Sequence, residues 1–217
     1  MENQFRKAHR TWSQRVTVRY LALFVALLAA VPGQAGDLEA VALDRIVSVA
    51  SGDLDGDGAS DAALLIAPGA DEAHDDHALV LLRGTGLDKG ALQPWRVYAD
   101  AAWGGLPGGM VGNRPAVAFT DAGSLQLISK NEAVGRSRWY QTVTLAWRDG
   151  DLLVAGFTYD HRDTLDPDAA GGCDINVFTG RGIIGEETTE MTVSLEPRRL
   201  PLDQWLAQGS PSLCPDG

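Results

Sequence analysis

Four aspartates stand within one nine-residue segment of this chain, at Asp53, Asp55, Asp57 and Asp61. Carboxylates packed this closely repel one another strongly unless a cation lies between them. Gly58 follows the third aspartate, where the chain must bend sharply, and a residue without a Cβ bends there at the least cost. The segment therefore predicts a tight loop folded around a cation.

The spacing of these aspartates predicts calcium as that cation. Calcium takes six to eight oxygen ligands, and carboxylates at alternate loop positions supply them from one turn, with a backbone carbonyl at position 7, here Ala59. The loop is not an EF-hand, because its position 12 is Leu64, where an EF-hand carries a bidentate Glu. The predicted ligands are Asp53, Asp55, Asp57, Ala59 and Asp61. The alternative is an Asp- and Gly-rich surface turn without a metal.

The residues that follow the loop predict β-structure. Ala62–Ile66 is a short apolar run typical of a buried strand, and a second strand at His77–Leu82 and a turn at Gly84–Gly86 are expected after it. This order of loop, strands and turn resembles the FG-GAP or VCBS repeat, the blade unit of integrin alpha-subunit propellers and of many secreted bacterial proteins. The resemblance covers roughly Ile46 to Tyr98. It implies one propeller-blade-like calcium repeat, whereas a full propeller carries several.

Residues 1–35 have the order of an export signal. Five basic residues open the segment, the uncharged run Tyr20–Val31 follows, and Gly33-Gln34-Ala35 places small residues where a signal peptidase cuts. The apolar run is too short to span a bilayer, which needs about 20 residues. We therefore predict an exported protein, periplasmic or extracellular, that begins at about Gly36 and has no stable membrane anchor after processing. The alternative is a buried N-terminal helix.

Charge limits the partners of such a mature chain. The predicted signal holds five of the 18 basic and one of the 29 acidic residues, so 13 basic and 28 acidic residues remain, a net charge of −15. A surface this acidic argues against nucleic acid and anionic membranes and favours cation binding. The expected partner is an unknown protein or carbohydrate ligand. We predict a calcium-repeat region at 36–103 and a C-terminal β region at 104–217, divided by the Gly- and Pro-rich loop 104–109.

The two cysteines of the chain, Cys173 and Cys214, both follow the predicted signal. An exported protein with two cysteines most simply pairs them. The bridge closes a loop of about 40 residues and is worth roughly 3–4 kcal/mol in the chain-entropy model. The alternative is two buried thiols.

The second half of the chain reads as antiparallel sheet, so the predicted fold class is all-β. Alternating strands are expected at 140–147 and 152–159, joined by Asp149-Gly150, a pair suited to a type I′ turn. Further strands are expected at 94–98, 116–120 and 124–129, with a turn at Asp121–Gly123 between the last two, and a short helix at 202–208.

Two polar sets are candidates for further sites. The charged run 71–77, which contains His74 and His77, could bind a transition metal but is more typical of a solvated hairpin loop. A second set could line a polar groove, although turns held by Asp and Thr side chains explain it better; its members are Arg138, Trp139, His161, Asp163 and Asp174.

No recognised catalytic motif is present in the sequence. The chain is therefore interpreted as an exported calcium-binding β protein of structural or binding type, and not as an enzyme. The alternative is an exported hydrolase with a structural calcium loop and an unlocated carboxylate active site. A cleft lined by aromatic residues and carboxylates would favour that alternative.

Overall fold

A computed structural model describes residues 42–69, 76–86, 90–104, 112–185 and 191–215. All of these residues belong to one compact unit. The predicted signal 1–35, the start of the charged run at 71–75 and most of the loop 104–109 lie outside the described residues. The cleavage site and the division into two regions stay predictions.

The first part of the chain forms a four-stranded antiparallel sheet, which follows a short 3-10 helix at Leu43–Arg45. Its strands lie in sequence order, as β1 (Ile46–Gly52), β2 (Asp61–Ile66), β3 (Asp76–Gly84) and β4 (Leu92–Trp103). The apolar run after the acidic loop is indeed a buried strand, since all but one of the residues of β2 are buried. The strand expected at 94–98 extends further in both directions.

The rest of the chain forms a second, larger antiparallel sheet. Its strands are β5 (Ala116–Phe119), β6 (Leu125–Asn131), β7 (Ser137–Arg148), β8 (Asp151–Asp163), β9 (Gly171–Asn176), β10 (Arg181–Ile184), β11 (Met191–Ser194) and β12 (Leu200–Pro201). Strands β5 to β11 lie side by side in sequence order, and β12 pairs with β8. The helix α1 (Leu202–Ala207) follows at the predicted place. The all-β prediction is confirmed.

Turn chemistry explains the tight connection between β7 and β8, which form the longest hairpin among the described strands. Asp149 and Gly150 have φ of 56° and 85°, so both central residues take the positive φ that a type I′ turn requires. Gly123, with φ of 77°, ends the shorter predicted turn between β5 and β6. These two hairpins follow from local sequence alone.

The two sheets share one hydrophobic core. Leu65 and Leu79 enter it from the first sheet, Leu145 and Phe157 enter it from the second, and Trp205 of α1 is buried in the same cluster. At one edge β1 meets β5, where the Val117 amide donates to Ser48 Oγ at 3.1 Å. The sheets are therefore held by both apolar packing and a direct hydrogen bond.

Two tryptophan pairs join β4 to β7 across the sheet interface. The ring centroids of Trp95 and Trp147 are 4.4 Å apart, and those of Trp103 and Trp139 are 5.3 Å apart. From the first pair to the second, the residue number rises from 95 to 103 on β4 and falls from 147 to 139 on β7. The two strands therefore run in opposite directions along the interface. The members of the two pairs are eight residues apart on each strand, so at about 3.3 Å per residue the two pairs are separated by about 26 Å of strand.

The predicted disulfide is confirmed. The sulfurs of Cys173, which is buried in β9, and Cys214 are 2.04 Å apart, and the bridge ties the segment after α1 to the second sheet. Among the described residues, no helix has the length and apolar character needed to cross a membrane.

Candidate metal centre and interface cleft

The acidic loop connects β1 to β2, with Asp53 directly after β1 and Asp61 as the first residue of β2. One carboxylate oxygen from each of Asp53, Asp55 and Asp61 lies within 4.8 Å of the other two. The fold therefore brings three of the four predicted acidic ligands together.

Hydrogen bonds from backbone amides shape the loop around its own carboxylates. Asp53 accepts from the amides of Gly56 at 2.8 Å and Gly58 at 3.0 Å, and Asp55 accepts from the amide of Asp57 at 3.1 Å. Both glycines have positive φ, at 79° and 87°, which a side chain with a Cβ rarely adopts. The loop is thus formed by local interactions that its sequence specifies.

Asp61 connects the loop to the sheet. Its side chain is 1% exposed, its Oδ2 accepts from the Leu54 amide at 2.8 Å, and its Oδ1 accepts from the Gly84 amide at 2.9 Å. A buried carboxylate is tolerated when such hydrogen bonds replace those of water. Gly84 must be glycine here, because a Cβ would lie 2.5 Å from the Ser60 carbonyl oxygen. Asp61 therefore joins both ends of the loop to the end of β3.

Asp57 is not part of the three-carboxylate cluster. Its Oδ2 is 3.2 Å from Arg83 Nη2, which also lies 2.6 Å from Asp55 Oδ2. The Arg83 guanidinium carbon is 5.5 Å from the ring centroid of Trp95. Sequence reasoning missed Arg83. The signal that could have found it is strand pairing, because Leu82 pairs with Ala62 and the next residue of β3, Arg83, therefore lies beside the loop.

The donor set fits a hard divalent cation. The segment Asp53–Asp61 contains no His or Cys, and its clustered donors are all carboxylate oxygens, which suit calcium or magnesium better than zinc. Asp53, Asp55 and Asp61 are the residues that would hold the ion. Asp57 and the carbonyl of Ala59 stay predicted ligands.

The five residues proposed for a polar groove do not line one site. Arg138 and Trp139 are successive residues of β7 and so face opposite sides of the sheet. His161 and Asp174 line a surface pocket of about 330 Å³. Arg138 and Trp139 are not among the residues that line this pocket. Arg138 Nη1 is buried and, in the part of the chain that the structure describes, has no hydrogen-bond partner.

Asp163 instead serves the turn after β8. Its carboxylate accepts from Arg136 Nε at 2.5 Å and from the Leu165 amide at 2.8 Å. The hydrogen bond from Arg136 lowers the pKa of Asp163 below its usual value. The favoured explanation for this set, turns held by polar side chains, is correct for this residue.

A larger cleft opens between the sheets at the Trp103–Trp139 end of the interface. It has a volume of about 530 Å³, and its polar and aromatic lining is formed by Asp76, Asp100, Trp103, Ser129, Trp139, Gln141, Trp205 and Ser210. The last two residues of the charged run 71–77 do not lie in a solvated loop. Asp76 and His77 belong to β3, and His77 is 2% exposed. No local sequence signal indicated the cleft, because its walls come from four separate strands, from α1 and from the residues that follow α1.

Comparison with known proteins finds no matching family model, no matching curated protein and no matching solved structure.

Proposed function

We propose that this protein is an exported calcium-binding β protein of structural or binding type, in which the ion holds the Asp53–Asp61 loop. The observation that carries the proposal is the cluster of Asp53, Asp55 and Asp61 oxygens within 4.8 Å of one another. A full shell needs more than three oxygens. Asp57 and the Ala59 carbonyl supply the others in this proposal.

The architecture around the loop supports the FG-GAP or VCBS resemblance. Propeller blades are four-stranded antiparallel sheets, and β1 to β4 form such a sheet in sequence order. The acidic loop connects the first two strands of this sheet, and the second of them is buried. In this proposal the sheet is a single blade-like unit whose open face is covered by the larger sheet instead of by further blades.

The stabilising role follows from charge. Two like charges 4 Å apart repel by about 1 kcal/mol in water and by more in less polar surroundings. Arg83 offsets part of this repulsion at Asp55 and Asp57, while Asp53 and Asp61 each accept hydrogen bonds from two neutral backbone amides. A bound divalent cation supplies the missing positive charge. The ion therefore binds the folded loop more tightly than it binds the unfolded chain.

Export is supported by the disulfide, because such bonds persist in oxidising compartments and are rare in the cytosol. The basic, apolar and small-residue order of residues 1–35 supports the same location.

The test is thermal unfolding and calorimetric titration of the mature protein in calcium and in chelator. At a hundredfold excess over Kd, an ion that binds only the folded state adds about 2.7 kcal/mol of stability. Chelation should lower the melting temperature, and Asp53→Asn should abolish the response. An unchanged melting temperature together with no heat of calcium binding contradicts the proposal.

A hydrolase is the second candidate, and the cleft is the observation that favours it, because Asp76 and Asp100 stand beside two indole rings there. Assays with glycoside, ester, peptide and phosphoester substrates test this candidate. Turnover that Asp100→Asn abolishes, in calcium and in chelator alike, would assign the activity to the cleft and not to the loop.

A further inference from the structure

The cleft at the Trp103–Trp139 end is a second site, separate from the acidic loop. Asp76 and Trp103 enter it from β3 and β4 of the first sheet, while Ser129 and Trp139 enter it from β6 and β7 of the second. The loop lies near the other tryptophan pair, where Arg83 contacts Trp95. About 26 Å of strand separates the two ends of the interface.

The backbone is distorted at this cleft. His77 pairs with Ala102 and Leu79 pairs with Tyr98, so β4 contains two more residues than β3 between these pairs and forms a bulge at Asp100. Bulges redirect side chains and are common beside functional sites.

Positive backbone φ marks the same place. Three non-glycine residues in the described ranges have positive φ, namely Asp100, Asp149 and Ser210. Asp149 belongs to the type I′ turn, and the other two both line the cleft. Such conformations cost energy and persist where the surrounding structure imposes them, most often at binding sites.

Aromatic rings form one part of the wall. Trp103 and Trp139 are each half-buried, with their ring planes tilted by 48° and centroids 5.3 Å apart. Tyr159 stacks behind Trp139 at 6.4 Å, which holds that indole in place. The face of an indole attracts a cation electrostatically, and tryptophan does so best among the aromatic residues.

Carboxylates form another part of the wall. Among the described residues that line the cleft, Asp76 and Asp100 are acidic and none is Lys, Arg or His. Carboxylates on a concave surface favour positively charged ligands over negatively charged ones. A carboxylate has about four acceptor positions, so each can take a ligand N–H in addition to its contacts within the protein.

We propose that this cleft binds an organic ammonium ion, with the charged nitrogen against Asp76 and Asp100 and the adjacent carbons against Trp103 and Trp139. Such an ion interacts favourably with both the carboxylates and the indole faces. A neutral saccharide of the same size lacks the charge that both kinds of group attract. The inference gives the binding type of function a ligand class, and it involves no residue of the calcium loop.

The decisive experiment compares ligands that differ only in charge. The mature protein is titrated with two pairs of ligands, choline with its neutral carbon isostere dimethylbutanol, and butylammonium with butanol. Maltose serves as the neutral saccharide. Calorimetry and tryptophan fluorescence measure the binding. We expect at least one ammonium ion to bind about tenfold more tightly than its neutral counterpart, and salt to weaken that binding. Equal binding of charged and neutral probes, or binding of maltose alone, overturns the proposal.

Two matched variants locate the binding. Asp100→Asn removes one charge from the cleft while keeping a residue that tolerates positive φ, and Asp149→Asn makes the same change in the distant hairpin turn. We expect only Asp100→Asn to weaken ammonium binding, by about tenfold, and circular dichroism to show both variants folded. An unchanged affinity in Asp100→Asn overturns the assignment to this cleft.

The titrations are run in calcium and in chelator, below the melting temperature of the chelated protein. If ammonium ions bind in chelator and calcium leaves the melting temperature unchanged, only the calcium proposal is contradicted. A calcium response without ammonium binding contradicts the cleft proposal alone.

Discussion

Arg83 Nη2 lies 2.6 Å from Asp55 Oδ2, on the loop that the sequence predicts to hold calcium. The same guanidinium stands over Trp95, whose ring packs against Trp147 of the other sheet. One side chain therefore links the charge of the loop to the aromatic contact between the sheets. An added cation competes with Arg83 for Asp55 while relieving the same repulsion.

Replacing Arg83 with Gln should change stability and calcium affinity in opposite directions. In chelator we expect a loss of about 0.2–1 kcal/mol, the usual range for partly exposed ion pairs, or a few degrees of melting temperature. Calcium should bind more tightly, because the competing charge is gone. Thermal melts and calorimetry measure both effects, with Arg148→Gln as the exposed control. Weaker calcium binding in Arg83→Gln would show that Arg83 supports the site and does not compete with the ion.

Asp61→Asn should destabilise the protein even in chelator. Asp61 accepts from two buried amides, at Leu54 and Gly84, and an asparagine offers only one oxygen for them. Leaving one buried amide unsatisfied costs about 1–3 kcal/mol. Urea unfolding in chelator measures the loss. Asp57→Asn, a change at a more exposed carboxylate, should cost less under the same conditions, and equal losses would argue against the connecting role of Asp61.

Removing the disulfide should destabilise the native protein by about 2–5 kcal/mol. The bridge joins residues 41 positions apart and ties the C-terminal segment to β9. The change is Cys173→Ser together with Cys214→Ser, and urea unfolding of this variant and of the oxidised parent measures it. Native protein that reacts with a thiol reagent at both positions would contradict the bridge itself.

Alkaline pH should destabilise the fold through Tyr98. Burial raises the pKa of Tyr98 to about 12, with smaller contributions from neighbouring charges, whereas an unfolded tyrosine ionises near pH 10. Because the folded pKa is the higher one, the contribution to stability is complete below about pH 10 and is lost as the pH rises towards 12. Tyr98→Phe should therefore flatten the fall in stability over this window.

Ultraviolet titration of the folded protein checks the same prediction directly. The parent should show a phenolate step near pH 12 that is absent in Tyr98→Phe. A parent protein whose tyrosines have all ionised by pH 10.5 while still folded would rule it out.

Local chemistry made several features of this protein predictable from sequence. Alternating aspartates and Gly58 specify the acidic loop, because the carboxylates bond to amides only two to five residues away. Asp149-Gly150 specifies the turn between β7 and β8, since few residue pairs adopt positive φ twice. The pairing of Cys173 with Cys214 followed because no other cysteine was present.

Tertiary structure decided which distant side chains meet. Arg83 reaches a loop 26 or more residues earlier in the chain, and Trp103 meets Trp139 only because β4 packs against β7 across the interface. The same packing creates the cleft, and strand alternation separates Arg138 from Trp139. Such contacts depend on strand register and on how the two sheets stack. Burial of the whole core determines both, and no short segment of sequence encodes that burial.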